Sequence, residues 1–101
     1  MKPEQQPSFS EVLTNLVAEG AKEIEVEYDD NEWHVGIVMG DTIVGVARYT
    51  SEREIAEVDK TLERLRKAKV LEVKGKKHRV SCKHEDNYGD SRWAIRVSPI
   101  R

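Results

Sequence analysis

Cysteine is almost absent from this 101-residue chain: the single Cys82 excludes an internal disulfide and suits a reducing compartment. No apolar run approaches the roughly 18–20 residues needed to cross a bilayer, so no membrane partner is expected. Met1 to Pro7 lack a hydrophobic signal region, and a cytoplasmic protein is expected. There is no Gly-x-Ser-x-Gly, no Walker loop and no dinucleotide fingerprint. Asp29-Asp30 is a carboxylate pair, but it lies in turn chemistry beside water, where burial does not perturb it. An enzyme is therefore not expected, and no cofactor is implied.

What the chain does have is pattern and charge. Hydrophobic residues make up 38% and charged residues 36%, a polar composition whose apolar residues are nonetheless regularly spaced. A net charge of −2 conceals a division. Residues 1–50 carry three Lys/Arg against ten Asp/Glu, a net of −7; residues 51–101 carry fourteen against nine, a net of +5.

The organising unit is a hairpin, Trp33–Met39 turning at Gly40-Asp41 into Thr42–Tyr49, followed at once by a helix from Ser51 to about Ala68. Gly40 suits a two-residue turn whose first position has positive φ. Ser51 with Glu54 makes a capping box, and Ile55, Val58, Leu62 and Leu65 form a narrow apolar seam. Upstream, Ser8 and Glu11 fit a second capping box. Phe9, Val12, Leu13, Leu16 and Val17 form its stripe, and Gly20 ends that helix. Glu23–Tyr28 alternates strictly, with Ile24, Val26 and Tyr28 inward. Thr42–Tyr49 is apolar on both faces, the pattern of a central strand covered on both sides over part of its length. Leu71–Val73, Lys77–His84 and Ser91–Val97 complete the set, with a loop expected over Glu85–Asp90.

The expected fold is α+β: two helices on one face of an antiparallel sheet, in the order α-β-β-β-α-β-β-β, an order that suggests an internal αβββ duplication. The domain is expected over 8–98, with loose tails at 1–7 and 99–101.

Helix, three strands and helix over residues 8–68 resembles the double-stranded-RNA-binding domain in order and length. Gly45-Val46-Ala47 running into Ser51 is similar to that family's third strand and second helix. The family's phosphate-gripping lysine cluster would fall where this chain reads Ser51-Glu52-Arg53-Glu54. The resemblance implies a topology and not that binding mode, and the last three strands have no counterpart in it.

Two surfaces and one cluster stand out. Lys77, Arg79 and Lys83 lie on one side of their strand, opposite Val80 and Cys82, and Arg92 and Arg96 lie opposite Trp93, Ile95 and Val97. Pairing of these strands would gather five cations on one face, suited to an acidic protein surface or a phosphate backbone. That face lacks aromatics for stacking on bases. The acidic ladder Glu23, Glu25 and Glu27 reads as an edge strand carrying charge against unwanted pairing. His78, Cys82 and His84 share a side, and His34 would make four zinc ligands, but paired Cys-x-x-Cys spacing is absent and no metal is expected. The reading is a small binding protein of the inhibitor, adaptor or immunity type. Its expected partner is another protein, with nucleic acid the alternative on the same basic face. A homodimer formed through opposite charges or an edge strand is a third arrangement.

Overall fold

The computed structural model describes residues 6–87 and 90–100. Residues 1–5 and 101 of the expected tails, and Tyr88-Gly89 of the expected loop, lie outside them. The chain runs α1 (Phe9–Ala18), β1 (Glu23–Asp29), β2 (Glu32–Met39), β3 (Thr42–Tyr49), α2 (Glu52–Ala68), β4 (Val70–Val73), β5 (Lys76–Asn87) and β6 (Asp90–Pro99). The strands form one antiparallel sheet in the order β3-β2-β1-β6-β5-β4, with both helices on one face. This is the α+β architecture expected.

Local chemistry accounts for most element boundaries. Ser51 Oγ accepts from the Glu54 N–H, and the Glu54 carboxylate accepts from the Ser51 N–H, completing the box. In α1 only half of the expected box forms: Ser8 Oγ accepts from the Glu11 N–H at 3.2 Å. The next N–H along, that of Phe9, donates to Glu57 of α2 at 2.8 Å. Gly20, at φ 97°, ends α1 while the Ala21 N–H reaches back to the Leu16 carbonyl. Asp30 and Asn31 both take positive φ, which closes the β1–β2 hairpin with the twist its strands need.

The topology depends on one length. β3 and β4, joined by α2, lie at opposite edges of the sheet. The 17 residues of α2 span about 25 Å at 1.5 Å each. Six strands about 4.8 Å apart cover about 24 Å. The helix therefore crosses the whole sheet and delivers the chain to the far edge, from which β5 and β6 return to the centre. The αβββ order repeats along the chain, but β1 and β6 meet at the middle with opposite directions. No rotation maps one half onto the other while keeping both helices on one face, so the repeat is one of element order.

The core lies between sheet and helices. Phe9, Leu13, Leu16 and Val17 of α1 and Val58, Leu62 and Leu65 of α2 meet Ile24, Val26, Trp33, Val35, Tyr49, Val73, Val80, Trp93, Ile95 and Val97. Full burial of each such aliphatic side chain contributes roughly 1.5–3 kcal/mol.

Three expectations need correction. The acidic strand β1 is not an edge: it pairs with β2 on one side and with β6 on the other, where arginines stand opposite Glu23 and Glu27. Glu85, Asp86 and Asn87 continue β5 instead of forming a loop, because each finds a partner on β6. β3 is an edge strand, not a central one, and it is exposed on most of its length. Its pairing with β2 slips between Val35 and Gly36, which leaves Val46 as an extra residue. Ala47 and Tyr49 pair with core-facing Val35 and Trp33; Ile43 and Gly45 pair with Val38 and Gly36 on the other face. The bulge thus breaks the strict alternation that a straight strand would have.

Candidate functional site

The face of the sheet turned away from the helices carries both charged features of the sequence, and they are neighbours. β1 lies beside β6, with Glu23 opposite Arg96 and Glu27 opposite Arg92. Arg96 Nε donates to Glu23 at 2.9 Å. The Arg92 guanidinium stands 3.0 Å from Glu25 and 2.8 Å from Glu27. Glu27 first, then Glu25, holds Arg92 more firmly protonated than an isolated arginine. The acidic ladder and two of the five cations close on each other as a seam.

The five cations do share this open face. Arg79 is exposed while Val80 is buried and Cys82 half-buried, the register the alternation predicts. Their availability differs. Arg92 and Arg96 belong to the seam, and Lys83 lies 3.6 Å from Glu85. Lys77 and Arg79 have no ion pair among the described residues. They join a wider basic margin that the sequence reading divided among elements. Residues 64–79 hold eight Lys/Arg and one acid, Glu72. They form the end of α2, the edge strand β4 and the start of β5. The Val80 N–H donates to the Lys69 carbonyl at 2.9 Å, which ties the end of α2 to β5.

The opposite edge has a different character. Met39, Ile43, Val44 and Val46 are 60%, 53%, 44% and 41% exposed and lie together at the free end of the β2–β3 hairpin. From Thr42 to Ala47 the edge carries no charge. The other end of β3 is closed: buried Tyr49 donates its hydroxyl proton to the Pro7 carbonyl at 2.9 Å, and the Gln6 amide takes the Arg48 carbonyl. The Gln6-Pro7 end of the expected loose tail is thus fastened to β3. β4, by comparison, has four residues and is flanked by Lys69, Lys74 and Lys76, devices that keep an edge from pairing. The signal for this surface was present in the sequence. Thr42–Ala47 is apolar on both faces, a pattern that does not distinguish a strand inside the sheet from one at its edge.

The cysteine–histidine cluster is divided by the sheet. His78, Cys82 and His84 face the helices, while His34 pairs with Glu27 and Arg48 on the open face. No group of three metal-binding side chains occurs among the described residues. The His84 ring stacks on Trp93 with centroids 4.2 Å apart, and its Nε2 lies 2.6 Å from Ser91 Oγ. Burial pushes the Cys82 thiol up, opposed in part by Arg66.

A broad depression is lined by Pro7, Glu11, Tyr49, Arg53, Glu54 and Glu57. Burial, then Glu57, Glu54 and Glu11, pushes the Tyr49 hydroxyl up to about 12, so it stays protonated. The Gln6 amide leads the interactions that hold Glu54 below its usual range. Among the described residues, no helix is long and apolar enough to cross a membrane. No known family profile, curated protein or solved structure matches the chain.

Proposed function

We propose that this is a non-enzymatic binding protein whose partner is another polypeptide, and that a strand of that partner completes the sheet beside β3. One observation carries the reading: a strand with the composition of a sheet interior stands at a sheet edge with three large apolar side chains exposed, Ile43, Val44 and Val46, and Met39 of β2 exposed beside the turn. Unpaired backbone groups along such an edge template strand addition, and the flanking apolar side chains add specificity. An inhibitor or adaptor works in this way, by occupying a surface and not by chemistry.

The test is capture from the native host with wild-type bait and with Ile43→Glu, each with and without nuclease. A polypeptide retained by the wild type, lost with Ile43→Glu and indifferent to nuclease supports the reading. Retention unchanged by Ile43→Glu overturns it.

The basic margin at the other edge favours a second reading, a polyanion such as nucleic acid held by Lys77, Arg79 and the cations around β4. Of the five cations on the sheet face, Lys77 and Arg79 have no ion-pair partner among the described residues, and both belong to the margin of residues 64–79. Binding of this kind weakens with a log–log salt slope near −0.9 per duplex phosphate contacted. A gel shift at low salt reads it directly, and an unshifted probe removes it.

A further inference from the structure

We infer that the strand completing the sheet at β3 is β3 of a second copy, paired antiparallel across a two-fold axis at Val44. The inference rests on the proposal that β3 receives a strand, and it names the occupant.

Backbone direction comes first. Counting from the two-residue Gly40-Asp41 turn, hydrogen-bonded and non-hydrogen-bonded positions alternate along the β2–β3 ladder. Thr42 and Val44 spend their backbone groups on β2; Ile43 and Gly45 present theirs outward. The same count makes Arg48 outward-facing, in agreement with its carbonyl accepting from Gln6. A two-fold axis at Val44 sets Ile43 opposite Gly45 of the second copy, outward group against outward group. Both residues also lie on the open face, so the sheet stays continuous with all four helices on one side.

Side chains fit the same register. A Cβ at Gly45 would meet nothing within 4 Å, so the position is an empty place on the open face. Ile43 of the second copy would cover it. On the other face the two Val44 side chains meet on the axis, with Thr42 opposite Val46 on either side. Thr42, Ile43, Val44 and Val46, all exposed in one chain, are thereby covered by the second copy.

Charge agrees as well. Asp41 precedes the open stretch and Arg48 follows it, so antiparallel copies bring each acid toward the other's cation. A parallel arrangement would put like on like. The acidic ladder on β1 does not oppose the pairing. The two β1 strands would be five strand spacings apart, about 24 Å, against a screening length of about 8 Å at physiological ionic strength. Glu32, nearer the edge, is already engaged by Arg48 at 3.4 Å.

The experiment is light scattering of the full chain from micromolar to near-millimolar concentration, for wild type, Val44→Lys, Val44→Glu and an equal mixture of the two variants. The wild type is expected to approach twice 11.6 kDa. Each variant alone is expected to stay at the monomer mass, because like charges meet on the axis, and the mixture is expected to recover the dimer. Circular dichroism and the thermal midpoint verify that the variants remain folded; Ile43→Arg, off the axis, serves if they do not. A monomeric wild type at every concentration overturns the inference, as does a dimer that Val44→Lys leaves intact. A wild type that is monomeric yet still loses its host partner through Ile43→Glu removes self-pairing alone and leaves the proposed function standing.

Discussion

Glu57 holds the two helices together. Its carboxylate accepts from the Phe9 N–H at 2.8 Å and from Thr61 Oγ1 at 2.5 Å. The first contact places a negative group at the positive end of α1 and satisfies a first-turn N–H that has no partner within the helix. Glu57→Ala is expected to lower stability by about 1–3 kcal/mol, read as a shift in the urea midpoint; a shift within error would mean water replaces the carboxylate. Sequence periodicity could not name this residue. Glu57 reads as one of many helix glutamates, and its partner lies 48 positions away. Tyr49 makes a second residue-scale case. Its hydroxyl is raised from 10.0 to about 12 in the folded chain, chiefly by burial. A raised acid favours the fold below its unfolded value and loses that contribution as pH climbs through the folded one. The stability difference between wild type and Tyr49→Phe should therefore be constant below pH 10 and shift against the wild type up to about 12. Denaturation profiles of both proteins across that window measure it, and parallel profiles would refute it.

At the scale of elements, the bulged hairpin decides how β3 is presented. A Cβ at Gly36 would stand 2.7 Å from Ile43 Cγ2 and 3.1 Å from the Val44 carbonyl oxygen. The second atom is backbone and cannot turn aside. Gly36→Val should therefore cost about 1–3 kcal/mol through overpacking. Gly45→Ala, across the ladder in open space, should leave the isolated chain's stability within about 0.5 kcal/mol. The two thermal midpoints compared side by side test the close approach; equal shifts would deny it. Legibility also differs by element. The helices, β1 and the ends of β2 could be read directly, because capping chemistry and period are local. β3 could not, since a strand apolar on both faces looks the same whether this chain or another covers it. β5 was read too short for a related reason: Glu85 and Asp86 resemble a loop until Arg92 and Ser91 stand across from them.

For the whole molecule, charge is laid out along the sheet. The acidic strand β1 lies at the middle, closed against β6 by the Glu–Arg seam, and the basic margin lies around β4 at one edge. The seam is exposed, so its parts are expected to be weak: Arg96→Ala should cost less than about 1 kcal/mol at low salt, and less again at high salt as screening grows. Urea midpoints at two ionic strengths measure this, and a salt-independent loss would point to packing instead of charge. The five-cation face was legible as a register, since Arg79 out and Val80 in follow from a period of two. Its availability was not, because nothing along the chain says that β6 returns to lie against β1. By itself, then, the amino-acid order determined the elements, their inward faces, the α+β class and the division of charge, all of which depend on neighbours a few residues away. Tertiary structure alone decided which strand stands at the edge and which charges meet. Those follow from strand order, and strand order is set by a helix just long enough to carry the chain across the sheet.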